Sequence, residues 1–145
     1  METTDRMGGF VSARIIETKM IDRFIITGSE AKISLKAGAS FREITAKKGG
    51  ISPSVSGVKE KSGTIYQINL TISAKNATGI KLKSFNKMIA ICTNPMGVDY
   101  IFGTPSFPLT CINVPVLSDR ASGEIGEMLN LDGRQPYYPL ILSAQ

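Results

Sequence analysis

The segment TIYQINLTIS, residues 64–73, decides the fold class of this 145-residue chain. Apolar side chains at the even positions 66–72 alternate with polar ones, so an extended strand would have one apolar face and one polar face. A period of two is typical of a strand that is buried on one side. The segment AKISLKA, residues 31–37, alternates in the same way and predicts a second strand.

Further strands are predicted on both sides of these two segments from apolar and β-branched residues bounded by turn residues. They cover residues 10–18, 20–27, 88–93, 98–102, 109–116, 126–131 and 138–143. The continuously apolar strand at 88–93 is expected to be buried on both faces, and the turn Asn94-Pro95-Met96-Gly97 should join it to the next strand in a hairpin. Pro115 has no N–H and should therefore lie at a sheet edge.

Strands at a spacing of about ten residues predict an all-β fold, an antiparallel β-sandwich or barrel with at most one short helix. The helix candidate is residues 79–87, for which an extended connection is the alternative. We expect a single β domain over residues 10–145, preceded by a flexible N-terminal arm at 1–9. Residues 46–63 are predicted as a long flexible loop or mobile hairpin, because polar, glycine-containing ends enclose a stretch without clear periodicity.

The residue types present argue against an enzyme. The chain contains no histidine, which excludes Ser-His-Asp and Cys-His catalysis, and it lacks both phosphate-loop and dinucleotide-binding glycine motifs. We therefore expect no catalytic residue and no cofactor. A zinc site would need the two cysteines together with carboxylates, an uncommon ligand set, so no metal is expected. Cys92 and Cys111 are predicted to be buried free thiols in a reduced intracellular setting.

No signal peptide is predicted, because the charged N-terminal residues have no apolar stretch behind them. No apolar run approaches the length of a membrane-spanning helix, so no contact with a membrane is expected.

Charge is distributed unevenly along the chain. Residues 1–31, 32–87 and 88–145 carry net charges of −1, +9 and −3, which give the total of +5. This asymmetry indicates a polyanionic partner, or self-association in which the basic patch of one subunit meets the acidic patch of the next; a solvated face is the simpler alternative. The residues predicted to form such assembly contacts are Lys47, Lys48, Lys59 and Lys61 on one side and Asp119, Glu124, Glu127 and Asp132 on the other.

Two binding functions remain open alternatives. A small nucleic-acid-binding β-barrel would use basic loops together with aromatic rings on which bases stack, and the basic segment offers only Phe41, Tyr66 and Phe85. Affinity that falls with salt would distinguish that function. A small-molecule-binding barrel would need an internal cavity, which a sequence does not reveal.

The last third of the chain carries a series of short motifs in a particular order. They are NPMG at 94–97, FGTP at 102–105, FPL at 107–109, SGE at 122–124 and PYYP at 136–139. In this order, residues 89–139 resemble small virion structural proteins of tailed bacteriophages and prophages, particularly components of the tail tube and its head-proximal end. The DGRQ stretch at 132–135 departs from the longer, aromatic-rich final strand of those proteins.

The resemblance implies a structural subunit that assembles through augmented sheets and exchanged loops or termini into a ring or tube. It implies a homo-oligomer that contacts other virion proteins and is located in the virion after synthesis in the host cytoplasm. Contact with DNA is left open. Head-to-tail contacts between unlike patches, which the charge asymmetry suits, close rings or grow filaments.

Overall fold

The computed structural model describes residues 2–6, 9–44, 46–61, 63–74, 86–117 and 125–143, and most of them are in β-strands. The strands are β1 (Glu2–Arg6), β2 (Ser12–Glu17), β3 (Ile21–Thr27), β4 (Glu30–Leu35), β5 (Arg42–Ile44), β6 (Ala46–Glu60), β7 (Gly63–Ala74), β8 (Asn86–Thr93), β9 (Asp99–Phe102), β10 (Leu109–Leu117), β11 (Ile125–Gln135) and β12 (Leu140–Leu142). The all-β fold class is therefore confirmed. Each strand predicted from the sequence has a counterpart among these, and β1, β5 and β6 are additional.

The segment predicted as a long flexible loop or mobile hairpin forms a hairpin, so the loop alternative is wrong. Strand β6 pairs antiparallel with β7 up to the residue pair Glu60 and Gly63. The physical reason is a period of two that the flanking lysines and glycines conceal: Ile51, Pro53 and Val55 are buried, whereas the serines between them are not. Pro53 lies beyond the part of β6 that pairs with β1, a position that its missing N–H allows.

The N-terminal arm predicted to be flexible contains strand β1, which pairs antiparallel with β6. The helix candidate at residues 79–87 lies outside the described residues up to position 85, and Asn86 and Lys87 begin β8. Helical structure in the described residues is a short 3₁₀ turn, Thr18–Met20, between β2 and β3. None of the described helices has the length and apolar character that crossing a membrane requires.

The strands form one mixed, open sheet in the order β1-β6-β7-β11-β10-β8-β9-β12-β4-β3, with β2 pairing both β8 and β5. Strands β12 and β4 are parallel, whereas the other described pairs are antiparallel. Because β1 and β3 stand at the two ends of this order, the sheet does not close, and its folded-over arrangement is sandwich-like.

Strand β8 lies between two apolar cores, as its continuous apolar sequence predicts. Alternate side chains Met88, Ala90 and Cys92 belong to a first core that also receives residues of β7, β10 and β11. Ile89 and Ile91 point the other way, into a second core with residues of β3, β4, β9 and β12. The buried hairpin partner of β8 is β9, and the turn between them is closed by Asn94, whose side-chain oxygen accepts hydrogen bonds from two backbone N–H groups.

Candidate functional site

A groove of about 620 Å³ opens at the side of the second core. Its apolar lining comes from the ends of separate elements: Ile33 of β4, Phe41 before β5, and Ile141 and Leu142 of β12. Its volume lies within the range of about 300–1,000 Å³ that is usual for ligand sites. The open sheet thus creates an open concave surface of mixed apolar and polar character rather than a closed cavity.

One wall of the groove carries an arginine that is held on two sides. The Arg14 guanidinium lies 3.2 Å from the Asp99 carboxylate and 5.4 Å from the centre of the Phe41 ring. The second oxygen of Asp99 accepts a hydrogen bond from the Thr93 hydroxyl across the β8–β9 hairpin. Both partners of the ion pair are about a quarter exposed, at 27% each. The arrangement fixes the orientation of Arg14 at the edge of the second core.

Strand alternation explains how Arg14 reaches this position. In β2, Ala13 and Ile15 face the first core, so Arg14 and Ile16 face the opposite side. Ile16 packs into the second core. Arg14 lies two residues earlier on the same face of β2 and reaches the rim of the groove. The position combines an apolar stem with a charged head that stays near solvent.

The charge of the groove is set by Glu30. Arg14 and Asp99 neutralise each other, whereas the exposed Glu30 at the start of β4 forms no ion pair with another described side chain. The three ionisable groups that line the groove therefore carry a net charge of −1. A cation with an apolar body complements this lining better than an anion does.

The basic contact residues predicted from the sequence are partly brought together. Lys59 and Lys61 are both exposed at the β6–β7 hairpin end. Lys47 and Lys48 lie in β6, but their side chains are outside the described part of the chain.

The predicted acidic contact residues are not shown as a cluster. Asp132 is exposed on β11, opposite Thr110 and Asn69 of the neighbouring strands. Glu127 also lies in β11, with its side chain outside the described part of the chain, and Asp119 and Glu124 fall on residues that are not described. The groove residues Arg14, Glu30 and Asp99 were not predicted as a site; the signal in the sequence is a lone arginine inside an apolar strand.

The two thiols lie in the first core, as predicted, and neither forms a disulfide. Burial raises the pKa of Cys92 to about 12 and that of Cys111 to about 11, because the thiolate would lose its hydration. Both groups are therefore neutral at physiological pH and poor nucleophiles. In the described residues, three or more His, Cys, Asp or Glu side chains do not come together in a group that could hold a metal ion.

Replacing Arg14 tests the groove wall. Arg14→Met should lower the free energy of unfolding by about 1–2 kcal/mol, because a partly buried ion pair and a cation–π contact are lost together. Urea unfolding followed by circular dichroism measures the change. Lys19→Met is the matched control: Lys19 pairs with Glu17 at the surface, with its side chain 71% exposed, and should change the free energy by less than about 0.5 kcal/mol. Equal effects of the two variants would contradict the role assigned to Arg14.

Comparison with known proteins does not assign this groove. The chain matches no protein-family model, no curated protein and no solved structure.

Proposed function

We propose that this chain is a structural subunit that assembles head to tail with further copies of itself into a ring or tube. The observation that carries the proposal is the open sheet, whose end strands β1 and β3 each have one edge that pairs with no other described strand. Unpaired edges expose backbone N–H and C=O groups that can pair with a strand of another chain.

Strand β3 lacks the usual protection of a free edge over its second half. Asp22, Arg23 and a register irregularity mark its beginning, but Ile25 and Ile26 follow with 52% and 39% of their surfaces exposed. Edge strands of monomers are generally protected by charges, proline or bulges along their length. An exposed apolar pair on an unpaired edge is typical of a surface that a partner covers.

The edge strands β1 and β3, which end the main strand order, have different sequences and neighbours, which favours head-to-tail contact. The neighbours of β1 in the sheet are the strands of the basic hairpin β6–β7, whereas the neighbours of β3 are β4 and then the short β12. Joining β1 of one copy to β3 of the next would continue the sheet from subunit to subunit. Such a contact between unlike surfaces closes rings or grows filaments.

The particle that we propose for this subunit is the tail or neck of a phage or phage-like virion. Support comes from the order of motifs in residues 89–139, which resembles that of tail-tube and head-proximal virion proteins. The all-β, sandwich-like fold is compatible with this assignment. The protein would then reside in the virion and contact other virion proteins, and the proposal assigns it no catalytic reaction.

The alternative function is nucleic-acid binding. The aromatic residues of the basic segment give it little support. Phe41 lies beneath Arg14, and Tyr66 packs edge to face against Tyr138 at 5.8 Å between ring centres. Phe85 lies outside the described residues. A stacking platform next to the described lysines is therefore not seen.

Assembly is tested by light scattering after size exclusion over a range of protein and salt concentrations, with negative-stain imaging of large species. We expect rings or tubes, and an Ile25→Lys/Ile26→Lys variant should shift the distribution towards monomers because two charges would be buried at the edge. Val11→Lys is the control, since Val11 is 63% exposed but lies outside β3. A monomer under every condition, or equal effects of the two variants, would contradict the proposal. Salt-sensitive binding of DNA by that monomer would support the alternative.

A further inference from the structure

We propose that the groove beside the second core receives the end of the β6–β7 hairpin of a second copy, with Lys59 and Lys61 facing Glu30. This inference rests on the proposed self-assembly and specifies one of its contacts. It also places the acidic side of that contact on β4 rather than on the acidic residues of the last third of the chain.

The groove presents one carboxylate that forms no ion pair with another described side chain, beside the apolar part of its lining. Asp99 is satisfied by Arg14 at 3.2 Å and by the Thr93 hydroxyl, so it offers little to an incoming cation. Glu30 is exposed, lines the groove and has no cationic partner among the described side chains. Glu30 is therefore the group that an incoming cation would neutralise.

The hairpin end has the complementary character. Strand β11 ends at Gln135, opposite Tyr66, so the hairpin continues past its neighbour on that side. Val58 and Ile65 lie directly opposite each other next to the hairpin end and are only half-buried, and Val58 also pairs with Glu2 of β1. Lys59, Glu60 and Lys61 follow and are exposed, so the hairpin end carries a net charge of +1. A half-buried apolar pair next to a net positive hairpin end complements a groove that has apolar side chains and a net negative charge.

Asp132 is a poorer partner for these lysines than Glu30 is. It lies on the outward face of β11 in a row of polar residues, between Asn69 and Thr110. The neighbouring cation Lys87 donates a hydrogen bond to the Thr110 hydroxyl at 3.2 Å, which places a positive charge near Asp132. The described residues beside Asp132 on this face are polar, whereas the groove offers a recess of about 620 Å³.

Charge reversal tests the contact in the full-length protein. Glu30→Lys, and separately Lys59→Glu/Lys61→Glu, should each weaken association about three- to tenfold in sedimentation velocity, because exposed ion pairs contribute modestly. A chain that carries all three changes should regain association, because the charges are then complementary again. Asp132→Lys and Lys36→Glu, two exposed sites outside the groove and the hairpin end, are the matched controls. Unchanged thermal unfolding establishes that each variant is folded.

Zero-length carbodiimide cross-linking gives an independent readout. In a mixture of isotope-labelled and unlabelled chains, mixed-isotope cross-links should join Glu30 to Lys59 or Lys61. If wild-type chains assemble but Glu30→Lys has no effect and no such cross-link forms, the groove contact is wrong while self-assembly stands. Sensitivity to Asp132→Lys instead would place the acidic side on β11. A wild-type protein that stays monomeric at every concentration would overturn both proposals.

Discussion

Gly103→Ala is expected to lower the free energy of unfolding by about 2–4 kcal/mol. Gly103 follows β9 with φ of +89°, and a Cβ atom there would lie 2.9 Å from Leu109 Cγ and 3.4 Å from the Met88 carbonyl oxygen. The loss therefore combines the strain of a left-handed backbone with overpacking against a fully buried leucine. Urea unfolding followed by circular dichroism measures it.

Gly97→Ala separates these two causes. Gly97 lies in the β8–β9 turn with a similar φ of +83°, but a Cβ atom there would meet nothing within 4 Å. Its loss should be about 1 kcal/mol, from backbone strain alone. If both variants lost the same free energy, crowding at Leu109 would be refuted as a cause.

Crowding at Gly103 has a structural origin. Its N–H donates a hydrogen bond to the side-chain oxygen of Gln135, and the Gln135 amide donates to the Tyr137 carbonyl. Gln135 is buried, so both of its polar ends need such partners. These hydrogen bonds hold the residue after β9 against the end of β11 and the β11–β12 connection, while Leu109 at the start of β10 packs against the same glycine, so a side chain at Gly103 would push these segments apart.

The individual strands could be predicted from the sequence, because alternation and apolar runs directly record which faces are buried. The continuous run at residues 88–93 predicted burial on both faces, and Ile89 and Ile91 do face a different core from Met88 and Cys92. This apolar run does not indicate which other strands contribute residues to the two cores. Strand order and register depend on contacts between distant segments, such as the parallel pairing of β12 with β4.

Strands β1, β5 and β6 and the groove were not predicted as such. For residues 46–63 a hairpin was only one of two alternatives, because Pro53 takes an apolar position in the alternation of β6 and the ends of this strand are rich in lysine and glycine. The groove was missed because its lining comes from residues as distant as Arg14 and Asp99, which only the paired strands bring to 3.2 Å. The local periodicity of a sequence does not indicate which distant residues, such as these two, come into contact. The predicted contacts of Lys47, Lys48 and the acidic residues stay predictions.

The two buried thiols should make the stability of the protein fall steeply in alkaline solution. In the unfolded chain a thiol ionises near its ordinary pKa of 9.0, whereas burial raises the pKa of Cys111 to about 11 and that of Cys92 to about 12. Below pH 9 both states hold the protons, and the stabilising contribution is complete. As the pH rises through 11 and 12, the unfolded state has released protons that the folded state retains, so the contribution is lost.

Each thiol should lower the free energy of unfolding by up to about 1.4 kcal/mol per pH unit above pH 9, until its own folded-state pKa is reached. Urea unfolding at a series of pH values from neutral to alkaline measures this slope. A Cys92→Ala/Cys111→Ala variant shares every lysine and tyrosine with the wild type, so the difference between the two slopes isolates the thiols. The variant will be less stable overall, because small core cavities remain, but its slope should be shallower. Equal slopes would mean that the thiols ionise alike in the folded and unfolded chain, which burial at 0% exposure for both side chains argues against.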